Sequence, residues 1–267
     1  MLSTEIARTR SILVKRIKRL LHLDREQVYR SELRTNILPF LTSLGSVALI
    51  GGAIRDVARA GKRGFSSDLD FVIYGSAKEQ FARAVEGCGG IRNKFGGYRL
   101  THFTSQVDAW HLEDTWAKTA GYIDVSRPRD LLACTFFDWD SAIYELDAGT
   151  LTVPIDYLDR LRQNVMDIRL RQNPNPVGAL IRALRRAALW SVKFGPELTE
   201  FSKEMLKKES WQNLVSIDGG AFPQPVLKYL RRDVILDQLE HVMPGCVTVP
   251  VPDWRLQLKL PVLPRAS

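Results

Sequence analysis

Leu49-Ile50-Gly51-Gly52-Ala53-Ile54-Arg55-Asp56, followed after a loop by Ser67-Asp68-Leu69-Asp70-Phe71, is the stretch from which the rest of the chain can be read. The apolar run Val47 to Ile50 predicts a buried strand, Gly51-Gly52 a tight turn, and Ala53 to Arg59 the first turns of a helix. Glycines at such a turn let the backbone come close to a phosphate. A helix that begins just after them adds free N–H groups and the positive end of its dipole, both suited to a triphosphate. Phe65 to Tyr74 predicts a second strand, whose alternation puts Leu69, Phe71 and Ile73 on one face and Asp68, Asp70 and Val72 on the other.

Two carboxylates on one strand face repel each other unless positive charge lies between them, and a hard divalent cation such as Mg²⁺ meets that need. A third acid stands in another short apolar segment, Gln106-Val107-Asp108-Ala109-Trp110. If that segment pairs beside the second strand, Asp68, Asp70 and Asp108 form a cluster able to hold two ions, Mg²⁺ or Mn²⁺. One ion would activate an attacking hydroxyl and the other would stabilise a leaving pyrophosphate. The chemistry so implied is nucleotidyl transfer.

These residues resemble the DNA polymerase β-like nucleotidyltransferases, and within them the head of the bacterial class II CCA-adding enzymes and poly(A) polymerases, which carries Gly-Gly-x-x-Arg-Asp followed by Asp-x-Asp. Phe95-Gly96-Gly97-Tyr98-Arg99-Leu100, ahead of Val107-Asp108, is similar to the hairpin that brings in that family's third carboxylate. A weaker likeness runs on through Ile181 to Ala188, so the resemblance covers roughly residues 45 to 195. It implies an α+β fold: a nucleotidyltransferase head of mixed sheet and helices, then a small helical neck and body. It also implies an NTP substrate, an RNA acceptor such as a tRNA 3′ end, Asp68, Asp70 and Asp108 as catalytic metal ligands, and Gly51, Gly52, Arg55 and Asp56 as nucleotide-binding residues. Arg55 and Asp56 also have a plainer reading, as an ordinary surface pair on the first helical turn, with Asp56 in a cap-like place near the positive end of the dipole.

Two departures from the family pattern bear on specificity. Where CCA-adding enzymes carry Arg-Arg-Asp-Phe-Thr-Ile-Asn, this chain has Cys134-Thr135-Phe136-Phe137-Asp138-Trp139-Asp140. Where they carry Glu-Asp-x-x-Arg, which pairs with the incoming base, it has Asn175-Pro176-Val177-Gly178-Ala179. Reading a base edge needs planar donors and acceptors such as a carboxylate or guanidinium. Ordered addition of C and A is therefore not supported, and the same reaction on another nucleotide or acceptor is.

The 267 residues carry a formal net charge of +8 and a pI near 9.5, which favours a polyanionic partner. Arg8, Arg10, Lys15, Arg16, Lys18, Arg19 and Arg25 surround Leu13, Ile17, Leu20 and Leu21, which recur at helical spacing. That segment is either a helix packed on the head with a solvated basic face, a nucleic-acid contact, or a membrane-surface helix. A second basic run, Arg182, Arg185 and Arg186, falls on the neck helix, where Arg182 and Arg185 share one side and are candidates for RNA phosphate contact. Cys88, Cys134 and Cys246 are odd in number and far apart, which indicates neither a disulfide framework nor a zinc site. His111, near Asp108 in sequence, reads as a structural residue rather than a base. No apolar run approaches the roughly 20 residues needed to span a bilayer, and no signal-peptide pattern opens the chain, so the expected location is the cytoplasm.

The remaining pattern divides the chain into an N-terminal basic helical segment (1–44), the head (45–156), a helical neck and body (157–243) and an extended Pro-rich tail (244–267). Helices are expected over 26–44, with a kink or break at Pro39, and over 77–86. A short helix or loop is expected over 115–120. Asp147-Ala148-Gly149-Thr150 predicts a hairpin between Ile143 to Leu146 and Leu151 to Val153. Asn173-Pro174-Asn175-Pro176 predicts a joint before the neck helix, and Phe194-Gly195-Pro196 its end, with two or three further helices before Met243. Besides an RNA-modifying nucleotidyltransferase, which includes a toxin or defence enzyme acting on tRNA, a synthase of a small nucleotide signal and a catalytically silent nucleotide- or RNA-binding protein of the same fold remain open.

Overall fold

A computed structural model describes residues 6–23, 32–61, 67–93, 95–100 and 107–250. Arg25, most of the expected 26–44 helix before Glu32, Phe65, Gln106 and the tail beyond 250 lie outside the described residues. The chain divides into two compact units, Met1–Asp159 and Arg160–Ser267. The N-terminal basic segment belongs to the first.

The first unit is built on a seven-stranded mixed sheet in the order β3-β4-β5-β2-β1-β6-β7. Its strands are β1 (Ser46–Ile50), β2 (Leu69–Tyr74), β3 (Ile91–Arg92), β4 (Tyr98–Leu100), β5 (Val107–His111), β6 (Ile143–Glu145) and β7 (Thr150–Thr152). β2 runs parallel to β5 and antiparallel to β1, while β6 and β7 form the hairpin expected around Gly149. β2 begins at Leu69, so Asp68 stands just before it.

Both sheet faces are buried, for different reasons. Phe71 and Ile73 share a face with Tyr98, Ala109 and His111, against which Phe81 of helix α4 (Lys78–Gly87) packs, 5.8 Å from the Tyr98 ring and 5.9 Å from His111. His111 is the structural residue its isolation suggested: Nε2 bonds the Ser76 carbonyl at 3.0 Å, and Nδ1 accepts from the Glu113 amide. On the opposite face Ala48, Val72 and Ile143 form a cluster with Leu112, Val125 and Leu131. Asp68, Asp70 and Asp108 are not members of this cluster. Gly97 lies beneath Trp110 on this face, so close that a Cβ there would sit 2.0 Å from the indole nitrogen. The second glycine of Phe95-Gly96-Gly97 is thus a packing requirement.

Helix α1 (Arg10–Lys18) buries Leu13 and Ile17, followed by Leu20 and Leu21. It is held to the C-terminal end of α3 (Gly52–Ala60), where Arg16 donates to the Val57 and Ala58 carbonyls at 3.0 and 3.1 Å and the Ala7 amide donates to Ala58. A guanidinium on the last carbonyls of a helix also complements its dipole. Of the readings of the basic segment, the packed helix is what the structure displays. The helix changes register just before Pro39. A π-helical turn over Leu33–Ile37 precedes α2 (Leu38–Ser43), and Pro39 stands in the first turn of α2, where a missing N–H costs nothing.

After the short α5 (Trp116–Thr119) of the first unit and α6 (Tyr157–Gln163), the second unit holds α7 (Pro176–Trp190), α8 (Pro196–Lys208), α9 (Trp211–Ala221) and α10 (Arg232–His241). Asn175 caps α7, its side-chain oxygen accepting from the Gly178 amide at 3.0 Å, and Pro176 occupies the first turn. α7 ends at Ser191 in a left-handed conformation, earlier than Phe194-Gly195-Pro196 suggested. Pro196 instead opens α8, whose Leu198 amide is capped by Asp167 at 2.8 Å. β8 (Val165–Met166) and β9 (Lys193–Phe194) form a small parallel pair, and Phe194 also bridges Val247 of the tail.

Candidate active site

The Gly-Gly turn comes first, because it fixes where everything else lies. Gly51 adopts φ 71°, a conformation glycine takes without strain, and its amide donates to the Ala142 carbonyl at 3.0 Å. The chain then turns directly into α3, leaving the first amides of that helix without an intrahelical acceptor. A Cβ on Gly52 would meet Ser67 Oγ at 2.9 Å, so the second glycine makes room for the residue that precedes Asp68. Ile50 lies directly opposite Asp70, which places this turn at the carboxylate end of the sheet.

Arg55 and Asp56 are buried, not an ordinary surface pair. Arg55 is 4% exposed and bonds Asp56 through Nε and Nη2 at 3.0 and 2.8 Å, Ser67 Oγ through Nη2 at 2.7 Å, and Asp140 through Nη1. Asp56 Oδ2 accepts from both the amide and the hydroxyl of Ser67, at 3.0 and 2.8 Å. Burial alone would pull the Arg55 guanidinium down, but Asp56 and Asp140 hold it above its ordinary value. The network positions Ser67, and through it the backbone at Asp68. Asp140 sits in a turn over Asp138–Asp140 that is pinned by the Tyr157 hydroxyl donating to the Trp139 carbonyl at 3.0 Å.

Pairing of β2 with β5 sets Asp70 directly opposite Asp108, and Asp68 lies two residues before Asp70. The three candidate carboxylates are thereby brought to one end of the same sheet face. Asp70 is half-buried, and its carboxyl is held well above the usual carboxylate range by burial, then by the charges of Asp108, Asp68 and Asp140. Burial also raises Asp68; Arg99 opposes the shift and Asp108 adds to it. Arg99 of β4 stands directly opposite Asp108. Its Nε and Nη2 take the two Asp108 oxygens at 2.6 and 2.7 Å, and Nη2 reaches Asp68 Oδ2 at 3.2 Å. Hydrogen bonding to Asp108 raises Arg99 above its ordinary value.

The donor chemistry suits a hard divalent cation: carboxylate oxygens throughout, and negative charge at Asp70 that no neighbouring cation offsets in full. The geometry is narrower than the triad expected. Among the described residues no group of three His, Cys, Asp or Glu side chains is gathered as a ligand set, and Asp108 is engaged by Arg99. Arg99 makes no hydrogen bond to Asp70 and reaches only Oδ2 of Asp68.

Arg99, Ser67 and Asp140 escaped the sequence reading. Antiparallel pairing of Tyr98-Arg99-Leu100 with Val107-Asp108 puts Arg99 on Asp108. Asp140 closes the segment Cys134 to Asp140, in which no motif marks it. Ser67 carries no signal of its own.

The neck arginines also need correction. Arg185 donates to the fully buried Asp218 at 2.7 Å and to the Gln224 carbonyl at 2.9 Å, and lies over the Phe222 ring at 3.8 Å. Arg186 is buried, against Met166 and Trp190. Both hold the helical unit together in place of the phosphate contact expected of them. Arg182 is half-exposed.

No family model matches the chain, and no curated protein is similar to it in sequence. Solved structures are similar to it in shape. The Thermotoga maritima CCA-adding enzyme in complex with tRNA-CCA matches 77% of this chain and 51% of its own, with a TM-score of 0.50 and 18% identity. A CCA-adding enzyme with CTP matches 80% and 55% (TM-score 0.48, 18% identity), and a tRNA nucleotidyltransferase with a primer tRNA and an ATP analogue 73% and 63% (0.46, 19%). The chain spans about half the length of the solved structures it matches. The likeness is therefore one of architecture, and it places this chain in the fold of the CCA-adding tRNA nucleotidyltransferases, a nucleotidyltransferase head with a helical body.

Proposed function

We propose that this chain is a metal-dependent nucleotidyltransferase that passes an NMP from an NTP to a hydroxyl on RNA, a tRNA 3′ end being the candidate acceptor, with release of pyrophosphate. The observation that carries the reading is the pairing of Asp70 with Asp108 on adjacent parallel strands, beside Asp68 and the Gly51-Gly52 turn. Asp68 and Asp70 would hold Mg²⁺ or Mn²⁺, with Asp108 as the third ligand for a pair of ions. Such ions supply Lewis-acid activation of the hydroxyl and neutralise the leaving group. The Gly51-Gly52 turn and the N-terminus of α3 would receive the triphosphate. Arg55 and Asp56 act as positioning residues, fixing Ser67 so that Asp68 enters the site at a set place. The excess of basic residues favours a nucleic-acid acceptor. The tRNA bound by the Thermotoga enzyme of the same fold supports that acceptor class. The cytoplasm is the proposed location; among the described residues no helix is long and apolar enough to cross a membrane.

Ordered addition of C and A is not supported by the residues of this chain. The segment corresponding to Glu-Asp-x-x-Arg is a helix cap here, with Asn175 folded onto Gly178 so closely that a Cβ on Gly178 would lie 2.4 Å from its amide nitrogen. Planar charged groups for reading a base edge are missing from it.

Purified protein incubated with each labelled NTP, Mg²⁺ or Mn²⁺ and total RNA is expected to label RNA, with a loss of at least about 10²-fold in Asp68→Asn and Asp70→Asn. Absence of transfer by the wild type, or equal transfer by these variants, would sink the reading. A second reading, a silent nucleotide- or RNA-binding protein, is favoured by one observation: Arg99 already engages Asp108 and Asp68. Metal-independent RNA binding that survives Asp70→Asn, without transfer, would select it. Label in a free oligonucleotide would instead select the synthase of a small nucleotide signal.

A further inference from the structure

Arg99 and the three carboxylates are unequally matched. The guanidinium makes a bidentate fork on Asp108, at 2.6 and 2.7 Å, and touches Asp68 at 3.2 Å. Asp70, directly opposite Asp108, has no hydrogen-bond or ion-pair partner among the described residues. Three carboxylates and one guanidinium leave two formal negative charges, which a single divalent ion balances. The Arg99 side chain is 42% exposed, so it has solvent to move into, whereas Arg55 at 4% has none.

Resting on the nucleotidyltransferase reading, we infer that Arg99 is a built-in counter-ion standing in the second cation position. With Arg99 on Asp108 the cluster is matched to one divalent ion at Asp68 and Asp70. Asp108 becomes a ligand only when Arg99 leaves it. The residue therefore sets how many ions the protein holds, and how tightly, by competing with them for the same oxygens. A sheet position facing Asp108 suits this role, because the pairing register keeps the guanidinium within reach of the carboxylate whether or not it is bound.

The test is calorimetric titration of the full chain with MnCl₂ alone, for wild type, Arg99→Met, Arg99→Lys and Asp70→Asn. Wild type is expected to bind one ion. Arg99→Met is expected to bind two, the first at least tenfold tighter. Arg99→Lys, which keeps the charge but loses the fork, is expected to show a smaller gain, and it carries the test if Arg99→Met does not fold. Unchanged or weaker Mn²⁺ binding in the Arg99 variants overturns the inference. Thermal unfolding gives a second reading of the same competition: in EDTA the Arg99→Met midpoint lies below that of wild type, and in saturating Mn²⁺ the gap closes. A gap of the same size in both buffers overturns the inference as well. Asp70→Asn separates the two claims, because wild-type Mn²⁺ affinity in that variant removes the carboxylate site itself, and with it the proposed activity, however Arg99 behaves.

Discussion

Arg55 and Arg99 are the same residue set against the same kind of partner in one unit of the protein, and they do opposite things. Arg55 is buried, meets Asp56, Asp140 and Ser67 at once, and closes a network in which each member has a partner. Arg99 is half-exposed and faces carboxylates that outnumber it, one of which, Asp70, it does not reach. The difference separates scaffold from site. A closed ionic network fixes geometry and has little capacity to bind anything further, whereas a cluster short of positive charge is costly alone and becomes stable only with a cationic ligand. The two meet at Ser67 and Asp68, so the rigid network supplies the base on which the charge-deficient one is held.

Breaking the closed network should have the largest effect. Arg55→Met removes the guanidinium that joins Asp56, Asp140 and Ser67 in the buried network and is expected to cost about 3–5 kcal/mol of unfolding free energy, read from urea denaturation. A cost below about 1 kcal/mol would mean that the network is not the scaffold described. The helical unit offers a parallel case. Asp218 accepts from Arg185 and from the Val226 and Leu227 amides, at 2.7, 2.6 and 2.8 Å, with no exposure of its own. Asp218→Ala removes the ion pair of Arg185 and the acceptor of both amides and is expected to cost about 3 kcal/mol by the same measurement. Retention of stability would return Arg185 to the pool of candidate phosphate contacts.

The same contrast explains what could be read from the sequence. Alternation along β2, the glycine turn and the order of Gly-Gly, Arg-Asp and Asp-x-Asp are local patterns, and each marks its element without knowledge of its neighbours. A mixed sheet, the α3 helix and the strand that brings in Asp108 follow from them, whereas the number and order of the seven strands do not. Partner choice is not local. Whether Arg55 would turn to substrate or to Asp140, or Arg185 to a phosphate or to Asp218, depends on residues 85 and 33 positions away. Spacing along a helix shows which residues share a face, not what that face meets. Pro196 is a similar case: proline breaks one helix and begins another with equal ease, and the Asp167 cap that decides between them lies far back in the chain.

The open cluster should respond to mutation with smaller changes and in the other direction. The Asp70 carboxyl is held above its unfolded-state value, so the folded protein binds more protons there, and its contribution to stability is lost as pH rises from the ordinary carboxylate range through the raised value. Asp70→Asn in metal-free buffer is therefore expected to be more stable than wild type at pH 8, by on the order of 1 kcal/mol, with the difference vanishing toward about pH 4. A variant less stable than wild type at pH 8 would place Asp70 with the scaffold.

Arg99→Met is the smallest change and the sharpest comparison with Arg55→Met. Its ion pairs are partly solvated, so the metal-free cost is expected to be about 1 kcal/mol or less, against about 3–5 for the buried arginine. The two open-cluster variants should also couple. Without Arg99 the three carboxylates repel one another unopposed, so Asp70→Asn should stabilise more in the Arg99→Met background than in wild type, by about 0.5 kcal/mol or more in a double-mutant cycle. Additive effects would mean that Arg99 and Asp70 do not share one electrostatic site. In that case the cluster divides into an Arg99–Asp108 pair and an isolated Asp70, and the unequal matching of Arg99 to all three carboxylates would lose its basis.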